Sequence, residues 1–90
     1  MSVRIAIPSY LQPYTGNREV IEAQGNTVGE CFNGLLQQSP GIGPMLFDKN
    51  GRLFSYVSTF VNKEDASLDG PTRTVRDGDE IHVIYIIGGG

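Results

Sequence analysis

Among the 90 residues there is one cysteine, Cys31, and one histidine, His82. A single cysteine makes no internal disulfide and no four-cysteine zinc site. The domain must therefore stand on its apolar core, which suits a reducing compartment. His82 has no second ligand-type residue at a metal-site spacing, which speaks against a zinc centre built on it. Basic residues are few, seven Lys and Arg against ten Asp and Glu, for a formal net charge of −3. They are scattered and line no amphipathic helix, so no nucleic-acid partner is expected. No segment approaches the ~18 apolar residues of a membrane span. Arg4 and Pro8 interrupt the one early apolar run, so neither a signal peptide nor a membrane partner is expected. No glycine-rich loop precedes a helix, which excludes a phosphate-binding loop. The expectation is a cytoplasmic chain of one domain, of a size that buries roughly 60–68% of its unfolded surface.

What is present is a change of hydrophobic period. Val3, Ile5 and Ile7 alternate with Arg4 and Ala6, which predicts a half-buried strand over residues 3–8, closed by Pro8. "SYLQPYTGN", residues 9–17, reads as a hairpin connection longer than two residues. Ile21 and Ala23 then face one way and Glu22 the other, a second strand over residues 18–24. From Val28 the spacing becomes helical, through Cys31, Phe32, Leu35 and Leu36. Thr27 with Glu30 makes a capping box and Pro40 supplies a stop, so a helix is predicted over residues 28–38. Gly29 and Gly34 each weaken it by about 1 kcal/mol relative to Ala. A turn falls at Asp48–Gly51, and the β-branched and aromatic run after it predicts a third strand over residues 53–62. Strand packing is expected to account for most of its aromatic residues and Phe47. Residues 63–75 read as polar loop, "RDGDE" as a turn with Gly78 at positive φ, and residues 80–87 as the last strand. Two hairpins flank one helix, an α+β arrangement with the helix packed on one sheet face. The expected core is Val3, Ile5, Ile7, Ile21, Ala23, Val28, Cys31, Leu35, Val61, Ile81 and Val83.

The chain closes on "YIIGGG", residues 85–90. Ordering a backbone residue costs roughly 1–2 kcal/mol, and Gly88, Gly89 and Gly90 bring no side chain to offset it. A flexible tail over residues 88–90 is expected after a domain over residues 1–87. Extended, it spans about 10 Å, and glycine alone lets a partner grip both sides of a backbone. The reactive group there is the α-carboxylate of Gly90. A carboxylate is a poor electrophile until it becomes an acyl-adenylate, so its activation calls for ATP and a partner enzyme.

Over most of its length the chain resembles the ubiquitin-like sulfur carriers, the family of molybdopterin-synthase small subunits and thiamin sulfur carriers. The resemblance rests on "FVNKED", then "VRDGDEIHVIYIIGGG", in that order. The opening "IPSYLQPYTG" and the "VNKED" stretch are most similar to the members that serve cysteine biosynthesis. Ile86, Ile87 and a third glycine, Gly88, depart from the pre-tail pattern of the family. The resemblance implies a β-grasp fold, with the first and last strands adjacent and parallel. It also implies that the chain is not an enzyme and binds no cofactor. The mechanism it implies is adenylation of the Gly90 carboxylate with ATP by an E1-like enzyme, after which sulfide or a persulfide is expected to displace AMP and leave a thiocarboxylate. Among the cysteine carriers the acceptor is an aminoacrylate on a pyridoxal-phosphate enzyme, and a zinc metalloprotease releases the product. Two other family roles stay open, the small subunit of molybdopterin synthase and a ubiquitin-like protein modifier.

Gly90 is thus the expected reactive site, with Gly88 and Gly89 in the partner's channel. If Ile81 and Val83 face the helix, then His82, Ile84 and Ile86 face outward, and Phe60, beside inward Val61, does too. These four are expected to form the partner surface. Cys31 lies on the apolar stripe and is expected in the core. Asp77, Asp79 and Glu80 are expected to serve the turn or face a partner.

Overall fold

The computed structural model describes residues 2–66 and 69–85. The chain opens with strand β1 (Ser2–Ala6) and a 3-10 stretch (Ser9–Thr15), then strand β2 (Val20–Gln24) and helix α1 (Val28–Gln38). A short helix α2 (Gly43–Leu46) precedes strands β3 (Val57–Val61), β4 (Glu64–Asp65) and β5 (Glu80–Tyr85). The five strands make one mixed sheet in the order β2-β1-β5-β3-β4. β1 and β5 are its adjacent, parallel centre, as expected, and the other pairs are antiparallel.

Alternation decides which face is buried. Ile5 lies opposite Ile21 on one side and Ile81 on the other, and Val3 opposite Ala23. Shifting any of these pairings by one residue would turn the apolar set to solvent. α1 covers this face with Val28, Cys31, Phe32 and Leu35. All eleven expected core residues are buried, and Leu11, Ile42 and Leu46 join them from the connections. The Thr27 side chain accepts from Glu30 N at 3.2 Å, and Glu30 Oε1 accepts from Asn26 N at 2.8 Å. The helix entry is therefore capped on both sides, one residue wider than the usual reciprocal box.

Three expectations are corrected. The third strand begins at Val57, not residue 53: Leu53 makes only an isolated bridge to Phe47, and Ser55 and Tyr56 turn the chain. Asp48 explains the bridge, because its Oδ1 accepts from the backbone N–H of Asn50 and Arg52 and closes a separate small loop. The first strand ends at Ala6, not residue 8; the connection after it is the long hairpin link expected, wound into a 3-10 helix around Pro13 with Leu11 fully buried. The "polar loop" after residue 62 contains β4 and contributes Ala66 and Val75 to the core. The expected end of the last strand, residues 86–87, and the tail expected over residues 88–90 lie outside the described residues.

Candidate functional site

The far face of the sheet is set by the same alternation. On β5 it carries Glu80, His82 and Ile84; His82 lies opposite Phe60 on β3 and Ala6 on β1, and Ile84 opposite Ser58. Ile84 is 45% exposed, whereas Phe60 and His82 are half-buried against their neighbours. His82 Nε2 stands 2.7 Å from Glu80 Oε1, two residues along the same strand face. The structure brings His82, Ile84 and Phe60 together as an apolar strip with one imidazole in it. Ile86, the fourth residue expected there, lies outside the described residues, as do Gly88, Gly89 and Gly90.

The acidic turn has a structural task. Asp77 Oδ1 accepts from Ser2 N at 2.8 Å, and Asp79 Oδ2 accepts from Arg76 N at 2.8 Å. Gly78, at φ 87°, donates its N–H to Ser2 O. Asn62 completes the join: its amide nitrogen donates to Asp79 Oδ1, its amide oxygen accepts from Glu80 N, and its backbone N–H donates to Glu80 O. The Val61-Asn62 and Asp77–Glu80 stretches, remote in sequence, are thus one interlocked corner holding the starts of β1 and β5 and the β3–β4 turn. Among the described residues no group of three or more His, Cys, Asp or Glu side chains is placed to hold a metal ion.

Cys31 is fully buried, and burial, followed by the negative charge of Glu30, pushes its thiol above the ordinary range. A thiol that is neither accessible nor readily ionised is a poor nucleophile and a poor sulfur acceptor.

At the end of β5 the structure assembles a group that sequence reasoning missed. Tyr85 points to the core side, and its hydroxyl donates to Met45 O. Its ring lies 4.9 Å from that of Tyr10 and 5.5 Å from that of Tyr56, edge-on, and Tyr56 stacks on Phe54 at 5.1 Å. Tyr10 and Tyr56 are 48% and 45% exposed. Burial, then the nearby tyrosines, raises the Tyr85 phenol above its usual value. Only an aromatic residue placed in each of two Pro- and Gly-rich connections hinted at this cluster.

The ThiS family model matches residues 5–90. The chain is 33% identical, over 93 aligned positions spanning all of both chains, to the sulfur carrier protein CysO of Mycobacterium tuberculosis. Among solved structures, the complex of BexX and CysO from Amycolatopsis orientalis contains a chain with a TM-score of 0.87 and 30% identity, covering 98% of this chain and 99% of that one. Mycobacterium tuberculosis CysO gives 0.85 and 31%, covering 94% and 99%. Small archaeal modifier protein 1 from Haloferax volcanii gives 0.85 at 20% identity over the whole of both chains, a likeness of fold alone. The mixed five-stranded sheet with its helix is the ubiquitin-like β-grasp. Among the described residues no helix is long and apolar enough to cross a membrane.

Proposed function

The chain belongs to the ThiS family, and on that premise we propose that it is a sulfur carrier whose sulfur rides on the C-terminal carboxylate of Gly90. The observation that carries the reading is the end-to-end 33% identity with the carrier CysO. The buried thiol supports it. Cys31 is the obvious place to hold sulfur as a persulfide, yet it is sealed in the core with its ionisation suppressed, which leaves the terminal carboxylate as the group able to meet an enzyme.

The proposed sequence is short. A partner enzyme of E1 type transfers AMP from ATP to the Gly90 carboxylate and releases pyrophosphate. Sulfide attacks the acyl carbon; the C–O bond to AMP breaks and a thiocarboxylate remains. Where the outer sulfur of an enzyme persulfide attacks instead, loss of AMP leaves an acyl disulfide, and a second thiol of the partner must break its S–S bond, becoming a disulfide itself, to free the thiocarboxylate. The carrier contributes docking and presentation, and the ATP belongs to the partner. Glycines at 88, 89 and 90 suit a channel that grips both sides of the backbone. The sulfur then passes to an acceptor, for which the likeness to CysO favours the aminoacrylate of a pyridoxal-phosphate enzyme, with a zinc metalloprotease releasing cysteine. The modifier role has weaker support, since the archaeal modifier shares the fold at 20% identity only.

The test is intact-mass spectrometry after incubation with ATP, sulfide and the host's adenylating enzyme. One oxygen replaced by sulfur at the C-terminus is expected. Removal of Gly90 should abolish the product and Gly89→Val should nearly do so, with unchanged melting temperatures. Sulfur incorporation into a chain lacking Gly89 and Gly90 would remove the basis of the reading.

A further inference from the structure

The backbone of β5 shows why its last described residue needs special support. Asp79 accepts from Arg4 N on the β1 side, while Glu80 accepts from Asn62 N on the β3 side. Backbone groups alternate sides along a strand, so Tyr85, in phase with Asp79, turns its N–H toward the β1 side. But β1 has ended at Ala6, and Pro8 has already turned the chain into the 3-10 stretch. The ladder therefore has no backbone acceptor to offer at Tyr85. The Tyr10 hydroxyl supplies one: its oxygen accepts from Tyr85 N at 3.0 Å, across 75 residues of sequence. The same ring packs on Tyr85 at 4.9 Å, and on the other side Tyr56 and the Met45 carbonyl hold the Tyr85 ring and hydroxyl.

We propose that Tyr10 is a positioning residue for the carrier reaction: its hydroxyl and ring clamp the chain at Tyr85, so that a partner taking the C-terminal carboxylate meets β5 already ordered up to that point. The inference rests on the carrier reading and deepens it. The physical basis is entropy. Each backbone residue left loose at the root must be ordered when the tail is captured, and holding it beforehand lowers that cost. The effect belongs to capture and not to chemistry, because Tyr10 is several residues removed from the reacting carbon. It should therefore appear in KM for the carrier and not in kcat.

Tyr10→Phe keeps the ring and deletes the acceptor. On an exposed side chain this change leaves the fold in place. Two readouts are needed. Amide hydrogen exchange by NMR is expected to show the Tyr85 N–H exchanging about two- to tenfold faster in Tyr10→Phe, the equivalent of one hydrogen bond. Steady-state adenylation by the host's E1-like enzyme is expected to show KM for the carrier raised by a similar factor with kcat within twofold. Tyr14→Phe, the same chemical change on a second exposed tyrosine of the 3-10 stretch, should match wild type in both. Unchanged exchange with unchanged KM overturns the proposal. Faster exchange with unchanged KM overturns it too, since the clamp would then exist without serving capture. Raised KM with unchanged exchange also overturns it, by placing the Tyr10 hydroxyl on the partner instead. A wild-type chain that the enzyme never adenylates sinks the carrier reading itself, an outcome distinct from normal wild-type adenylation matched by Tyr10→Phe.

Discussion

Asn62 has a left-handed φ of 56° and three hydrogen bonds to the segment that starts β5. An ordinary side chain pays roughly 1–2 kcal/mol for that conformation, and Asn pays less because its short amide bonds locally. Asn62→Ala removes both side-chain bonds and adds backbone strain. We expect a loss of about 1–3 kcal/mol in urea denaturation, and a smaller loss for Asn62→Gly, which accepts positive φ. Equal stability of Asn62→Ala and wild type would mean that the corner is not held this way. Cys31 makes the second prediction. Its folded-state pKa is raised, so the folded protein holds the thiol proton more tightly than the unfolded chain does. That contribution is fully present below the ordinary thiol value of about 8.5 and is lost as pH climbs from there through the folded value. Melting temperature should therefore fall with pH above about 8.5, and less steeply in Cys31→Ala. The folded protein should resist iodoacetamide at neutral pH. Rapid alkylation there would contradict the burial that the carboxylate reading uses.

At the scale of the element, α1 makes a paired test of two glycines that look alike in the sequence. A Cβ at Gly29 would stand 2.9 Å from Pro71 Cβ and 3.1 Å from Pro71 O, because the 3-10 stretch Gly70–Thr72 packs directly on the helix. A Cβ at Gly34 would meet only Ala23 Cβ, at an ordinary 3.5 Å. Gly34→Ala should raise stability by up to about 1 kcal/mol through helix propensity. Gly29→Ala should lower it by about 1–3 kcal/mol, since the crowding outweighs the propensity gain. Denaturant midpoints measure both, and a stabilised Gly29→Ala would show that the 70–72 segment yields easily. The helix itself was legible because its stripe and cap lie within one dozen residues. The start of β3 was not, because Leu53–Tyr56 has strand-like composition while Asp48 binds the backbone around it into a separate loop. β4 was hidden because its two residues, Glu64 and Asp65, are exposed and carry no apolar alternation.

For the whole molecule, the sheet face away from α1 is the surface we propose a partner meets. Ile84 is exposed there, flanked by half-buried His82 and Phe60, and Val20 is equally exposed two strands away on β2. Ile84→Asp should leave the melting temperature nearly unchanged, as surface substitutions do. Burying an isoleucine on binding contributes roughly 1.5–3 kcal/mol, so adenylation efficiency should fall about tenfold or more. A folded mutant adenylated at the wild-type rate would place docking elsewhere. Of the expected outward set, Phe60, His82 and Ile84 were readable from alternation, while the closing motif was read by its likeness to a family and not by its period. The aromatic group at Tyr85 was not, since Tyr10, Tyr56 and Tyr85 sit in separate segments with no shared period. The sequence by itself determined four of the five described strands, helix α1, the buried face and the glycine ending, because each of these signals is carried by residues close together in the chain. Only the tertiary structure decided what the acidic turn is for, why Gly29 is a glycine, and what holds the end of β5. In each of these the partner is remote: Ser2 meets Asp77, and Tyr10 meets Tyr85, each across 75 residues. No local pattern encodes such pairs, because they exist only once parallel pairing of β1 with β5 has brought the two ends of the chain side by side.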